Sequence, residues 1–563
     1  MKPFAKPFAT TSQMPSRIHF LLAGAALLFS GVVSAQTNSG LLINSLPGPP
    51  APNQKRDASA RDIEVGNPKA AITGLAKQYS TIRLSGFEST FEGDVEGYRF
   101  VSQYFPLNIT SIDWERISQE IFHHYIQRGQ MIRVDLVMKG DQSALVDISE
   151  LLVRSITVKN PGLRDQDVAA LNRLLREYVK EGEPIDLKKF KEFLSVVDYR
   201  GNETITTKFL EVTEEGVDLN ITIEPRHIVP FNKWAVMADN YGTKGFGLGR
   251  VGASYSAPLF SSGDNLGLQT VVSRGLQNIS GRYDFPLPGV LPLRASIWTS
   301  ILRYSATIDD IRQRGNATLA GVDLNYPYFF WSGAQLVGGL GYEYKRTKDE
   351  VVGIDTTNKT VQNLHVRING GNLFNKQLSF FSDWTIGNLD LNGIRAPLQD
   401  VFTARTAGSF QKVNLGTDFI QPLGQQLYFS VRTRGQLSNK NLDSLEKMYF
   451  GGPSGVRAYD NNVSGDQGAQ ANVDFFYRLQ ATQWPTRIGG FFDYALGKTS
   501  HTPWEDEFAE TESNTFHLNA IGLQADVSYQ KVALNVMVAR PVTTSSVNVD
   551  QKWRLWVNLK STF

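Results

Sequence analysis

The segment Ala471-Asn472-Val473-Asp474-Phe475-Phe476-Tyr477-Arg478-Leu479-Gln480 decides the fold. Ala471, Val473, Phe475, Tyr477 and Leu479 alternate with Asn472, Asp474, Arg478 and Gln480. A period of two separates these sets onto opposite faces of a β-strand. Charges in the middle of one face need water beside them. The pattern recurs on both sides. Leu427, Phe429, Val431 and Leu437 oppose Gln426, Ser430, Arg432, Arg434 and Gln436. Ile521, Leu523, Ala525 and Val527 oppose Gly522, Gln524, Asp526 and Ser528. From about Phe231 to Phe563 strand-length segments follow one another, split by Gly, Asn, Asp and Pro, without helical periodicity. A soluble sandwich and a membrane barrel with a wet lumen both fit this pattern.

The last strand tips the balance toward a barrel. Trp553, Leu555, Val557, Leu559 and Phe563 face one way, and Lys552, Arg554, Asn558 and Lys560 the other, with Trp556 out of phase. An aromatic closing such a strand is similar to the assembly signal of bacterial outer-membrane barrels. The segments predict about sixteen antiparallel strands, eleven before a central loop and five after it. The mean hydropathy of −0.24 and the lack of a run of eighteen apolar residues exclude a membrane-spanning helix, but not spanning strands. A net charge of only +2 over 563 residues predicts no nucleic-acid partner. With no cysteine, disulfides, thiolate metal sites and a cysteine nucleophile are excluded.

Upstream, Lys2, Lys6 and Arg17 precede the apolar run Phe20 to Val33 and the small residues Ser34-Ala35. This predicts a signal peptide over 1–35. Residues 36–77, with Pro47, Pro49, Pro50 and Pro52, predict a periplasmic tether. Two α/β units follow, over 78–152 and 153–228. In the first, Thr110 and Asp113 start a helix whose Trp114, Ile117, Ile121 and Tyr125 share a face, and Gly129 ends it. In the second, Val168, Leu171, Leu175 and Tyr178 form one helix face, and Leu187, Phe190, Leu194 and Val197 another. Val217, Leu219, Ile221 and Ile223 then alternate with Asp218, Asn220 and Thr222. The β-α-α-β-β order, with the Tyr125-to-Gly129 helix ending, resembles tandem POTRA domains. Their sheet edges offer pairing to an extended client.

The central loop contains Gly451-Gly452-Pro453-Ser454-Gly455-Val456-Arg457-Ala458-Tyr459-Asp460. Loops this long inside a strand-rich region are functional or disordered. Val456-Arg457-Ala458-Tyr459 and the later Phe491-Phe492-Asp493, on either side of the alternating strand, match two motifs in order. With Ala238-Asp239-Asn240-Tyr241-Gly242 at the start of the barrel, they make the chain resemble the two-partner secretion transporters, the haemolysin and filamentous-haemagglutinin exporters. The resemblance implies a barrel over 229–563 whose loop 446–468 folds into the lumen. There Val456, Arg457 and Tyr459 would meet Phe491 and Asp493 as a latch. It departs from the family pattern at Ala458 and Ala495, where glycine is usual.

The resemblance further implies a location in the outer membrane, with the POTRA units in the periplasm. The implied partners are an unfolded exoprotein client, outer-membrane lipid and the barrel-assembly machinery. Export would proceed without nucleotide hydrolysis, because the client folds on emerging. No cofactor or enzymatic activity is expected. Gly247 to Gly252 spells a dinucleotide fingerprint, but no helix follows it. His123 and His124 are adjacent and cannot share a helix face. An assembly factor of the same superfamily, a passive porin and a secreted β-rich enzyme are the alternatives.

Overall fold

The computed structural model describes residues 64–65 and 81–563, apart from 92–93, 106, 141, 160–164, 201–202, 214–215, 226–232, 261–262, 288–291, 309–310, 330–334, 394, 480–483, 506, 509–512 and 543–552. The expected signal peptide and nearly all of the expected tether lie outside the described residues.

The first α/β unit contains β2 (Ile82–Ser89), α1 (Val95–Ser102), β3 (Leu107–Ile109), α2 (Ser111–Gln127), β4 (Ile132–Gly140) and β5 (Ser143–Glu150). Its sheet order is β3-β2-β5-β4. Thr110 and Asp113 cap α2 reciprocally, so two otherwise unpaired backbone N–H groups are satisfied. Trp114, Ile117, Ile121 and Tyr125 are buried, with Leu84, Val134, Val146 and Ile148 in the same core. Helix α1 has no counterpart in the sequence reading. It is eight residues long with Gly97 inside it, too short and irregular to show a period.

The second unit contains β6 (Val153–Lys159), α3 (Asp165–Tyr178), α4 (Leu187–Arg200), β7 (Glu203–Thr213) and β8 (Gly216–Pro225). Its sheet order is β1-β7-β8-β6, in which β1 (Glu64–Val65) comes from the expected tether and pairs in parallel with Phe209 and Leu210. Leu171, Leu175, Phe190, Phe193, Val197, Leu219 and Ile221 are buried in its core. The two units are joined through backbone. Gly129 has a φ of +86°, which favours glycine, and its carbonyl accepts from the N–H of Leu187 at 3.0 Å. Leu152 also bridges to Pro184.

The remainder is a closed antiparallel barrel of sixteen strands. In chain order these are β9 (Lys233–Asp239), β10 (Arg250–Ala257), β11 (Asn265–Ser273), β12 (Leu276–Pro286), β13 (Arg294–Ile308), β14 (Ile311–Phe329), β15 (Gln335–Val351), β16 (Ile354–Asn372), β17 (Leu378–Leu391), β18 (Gly408–Pro422) and β19 (Leu427–Ser438). After the short β20 (Met448–Tyr449) and β21 (Ser464–Gly465) come β22 (Gln467–Leu479), β23 (Thr486–Lys498), β24 (Thr515–Tyr529), β25 (Val532–Pro541) and β26 (Arg554–Thr562). Eleven strands thus precede the central loop and five follow it. Two short helices, α5 (Leu373–Lys376) and α6 (Arg395–Phe402), sit in connections between strands, where the sequence reading has no helix.

The alternation is maintained around the wall. On β23, Phe491, Asp493 and Ala495 face inward, while Phe492, Tyr494 and Leu496 are exposed outside. Ile297, Val322, Trp384, Ile386 and Leu523 extend this apolar outer face. In water so large an apolar surface would drive aggregation, whereas lipid accommodates it. With its nineteen residues, β14 is about 60 Å long, or about 45 Å along the barrel axis at the usual tilt. The hydrocarbon layer is about 30 Å thick, so the longest strands rise beyond it.

The barrel closes by pairing β26 with β9 over only Asn558 to Thr562. Asn240 lengthens this seam. Its N–H donates to the carbonyl of Val557 at 3.2 Å, and its side chain donates to the Leu555 carbonyl and accepts from the Val557 N–H.

Candidate functional site: the lumen loop

Between β19 and β22 the chain leaves the wall at residue 439, earlier than the expected 446, and turns into the lumen. The short ribbon β20–β21 supports its tip. There the N–H of Val456 donates to the carbonyl of Phe450 at 2.7 Å, and that of Tyr459 to the carbonyl of Val456 at 3.0 Å. Gly452 has a φ of +89°, and a Cβ on Gly455 would lie 2.2 Å from the Phe450 carbonyl oxygen. This turn therefore requires glycine at both positions.

The turn drives Arg457 into the inner wall. Its Nε donates to Asp493 at 2.9 Å, one terminal nitrogen to Asp493 at 2.6 Å and the other to Asp474 at 2.7 Å. The Arg457 backbone N–H also donates to Asp493, at 2.9 Å. The guanidinium carbon lies 3.5 Å from the centroid of the Phe491 ring. Arg457 is 5% exposed and Asp493 0%. At such burial either charge alone would carry a large desolvation cost, so the pair holds only as a pair. Val456 and Tyr459 are buried in one apolar cluster with Phe450, Phe491, Phe516, Leu518 and Trp556. All five residues of the expected latch therefore meet in one place.

The sequence reading did not assign four further participants. Asp474 is a second carboxylate on Arg457 and also accepts from Gln524 at 2.8 Å. Asn472 donates to Asp493 and to the Gly455 carbonyl, each at 2.8 Å. Trp556 donates from Nε1 to the Arg457 carbonyl at 2.7 Å. Arg554 donates to the Ala458 carbonyl and pairs with Asp460. The signal for Trp556 was its phase, since it is the aromatic on the polar face of the last strand.

Of Ala238 to Gly242, Tyr241 reaches this region and Asp239 lies beside it, while Ala238 is exposed on the outer face. Asp239 pairs with Arg250 at 2.8 Å, and the Tyr241 ring meets Trp556 edge-on at 5.7 Å. Gly247 to Gly252 lead from a turn into β10, with no helix following.

Two α/β units, a closed sixteen-strand barrel and an arginine-tipped loop held inside it define a class, the outer-membrane barrels with periplasmic POTRA units. Within that class, a model of the family described as haemolysin secretion/activation protein ShlB/FhaC/HecB matches residues 216–506. The chain belongs to this family. It is 25% identical over 360 residues to the heme/hemopexin transporter protein HuxB of Haemophilus influenzae, a match covering 62% of this chain and 62% of that relative. CdiB from Escherichia coli has the same fold, with a TM-score of 0.60, 14% identity and coverage of 96% of this chain and 98% of its own. CdiB from Acinetobacter baumannii follows, with a TM-score of 0.54, 13% identity and coverage of 95% and 99%. Barrel and family together place the protein in the bacterial outer membrane.

Proposed function

We propose that this protein exports an exoprotein across the outer membrane, taking it unfolded from the periplasm through the POTRA units and passing it through the barrel. The observation that supports this reading is the loop. A barrel that only admitted small solutes would have no need of a buried guanidinium holding a removable segment inside it. Two carboxylates, a backbone N–H contact and an aromatic face give that segment one docked position. Lifting it clears the lumen. Membership of a secretion family, rather than sequence likeness to assembly factors, favours the exporter over the insertion-factor alternative. Net movement needs no nucleotide if the client folds outside and does not return. Arg457→Ala tests the reading. Secretion of the exoprotein client is expected to fall, while the barrel still inserts and keeps its heat-sensitive gel migration. Undiminished secretion would remove the latch from the mechanism.

A further inference from the structure

Before reaching its tip, the loop descends along a different part of the wall, and the Arg457 site does not account for that contact. Lys345 on β15, Lys359 on β16 and Lys412 on β18 face this stem. Asp443 accepts from Lys359 Nζ with both oxygens at 2.8 Å, and Lys359 is 0% exposed. Glu446 pairs with Lys345 at 2.9 Å and with Lys412 at 2.7 Å. Lys412 also donates to the Glu446 carbonyl at 3.0 Å, and Asn363 to its carboxylate at 3.1 Å. Leu442 and Leu445, next to these acidic residues in the chain, are buried in a cluster with Val361, Leu389 and Phe410. The stem is thus seated by two carboxylates and two leucines. Its polarity is the reverse of the Arg457 contact, where the loop supplies the cation and the wall the anions.

We propose that Lys345, Lys359 and Lys412 form a carboxylate-binding site on the lumen wall, with Asp443 and Glu446 as its resident ligands, and that this site is a second anchor of the loop. Two observations set it apart from ordinary wall packing. The carboxylates of Asp443 and Glu446 belong to the loop and the lysines to three strands, so when the stem leaves Lys359 and Lys412 lose these ion pairs and Lys345 keeps only Glu343, its neighbour on β15, at 2.9 Å. The two anchors also share no residue and lie on different strands, β15, β16 and β18 against β22 to β24 and β26. Release of Arg457 alone therefore leaves the stem seated and the lumen partly filled. Clearing it requires both anchors to break.

This inference rests on the proposed movement of the loop, and its test reads the loop separately from export. The purified protein is placed in planar bilayers in potassium chloride and its open fraction recorded. Asp443→Asn with Glu446→Gln is expected to raise that fraction at least about 10-fold, because Lys359 and Lys412 lose their counter-charges and Lys345 loses one of its two. Adding Arg457→Ala is expected to exceed either change alone. Lys359→Asp is expected to bring Asp443→Lys back toward the wild-type trace, which a purely packing role would not produce. Lys359→Met probes the same site from the wall side should the loop-side variant misassemble. An open fraction unchanged in both the loop-side and the wall-side variants would overturn the second anchor. So would a combined variant no more open than Arg457→Ala. Secretion lost in Arg457→Ala while these traces stay at wild type would reject the second anchor and leave the exporter reading standing.

Discussion

At Arg457 one side chain engages two carboxylates, Asp493 and Asp474. Truncation to alanine leaves Asp493 buried without its partner, a change that costs about 3–5 kcal/mol in comparable settings. Protease access to the loop in Arg457→Ala, compared with wild type, measures the loss. Arg457→Lys keeps the charge but lacks the planar fork, and is expected to fall between the two. The second carboxylate alters the usual charge-swap test. Arg457→Asp with Asp493→Arg sets an acid against Asp474, so secretion should recover well only when Asp474→Asn is added. Equal recovery without it would mean that Asp474 contributes nothing. Ala458 and Ala495, at the two positions where the resemblance implies glycine, are both fully buried in the apolar cluster at the latch. The site accommodates one methyl at each, and Ala458→Val is expected to loosen loop docking by about 1–3 kcal/mol through overpacking. In the sequence Asp474 was visible on the polar face of its strand and Trp556 as an aromatic out of phase in the last strand. Their contact with Arg457 was not, because the depth at which the loop tip rests depends on barrel stagger and on the path of the stem.

The strands were legible because one face meets lipid and the other water, which imposes a period of two on the residues themselves. Helices α2, α3 and α4 were legible for the equivalent reason, a buried stripe with a start or stop signal. Helices α1, α5 and α6 were not, because short elements held by their surroundings carry little periodicity of their own. In the second α/β unit, Asp218 on β8 pairs with Arg154 and accepts from Ser155 at 2.6 Å. Arg154 above all, with the Ser155 hydroxyl, holds the Asp218 carboxyl down at about 2, against about 3.9 in an unfolded chain. A depressed carboxyl stabilises the fold above its unfolded value and loses that contribution as the pH falls through the folded one. The unfolding transition of the α/β units should therefore move to lower temperature between about pH 4 and pH 2, and Asp218→Asn should flatten that dependence. The seam between β9 and β26 makes its own prediction. Ala238 and Leu559 are register partners on the outer face, and the chain has no native cysteine. If the client travels through the lumen, Ala238→Cys with Leu559→Cys, oxidised across the seam, should still secrete. Arrest on oxidation would show that the wall itself must open.

The modules form one connected body. Gly129 and Leu187 tie the α/β units together, and the second unit reaches the barrel where Arg294 donates to the Tyr199 carbonyl at 3.3 Å and to the Gly263 carbonyl at 2.8 Å. The order of modules was legible from composition and periodicity. The contacts between them were not, since they run largely through backbone atoms that carry no sequence signal. The proposed export account rests on the loop leaving the lumen for each passage. Ser454 and Gln470 face each other between loop and wall, the Gln470 side chain donating to the Ser454 carbonyl at 3.5 Å. The most direct test joins Ser454→Cys to Gln470→Cys with a short, reductant-cleavable bis-maleimide in living cells and follows secretion. Secretion should stop when the bridge forms and resume when it is cleaved; secretion that continues at its normal rate through a fully bridged population would contradict the account.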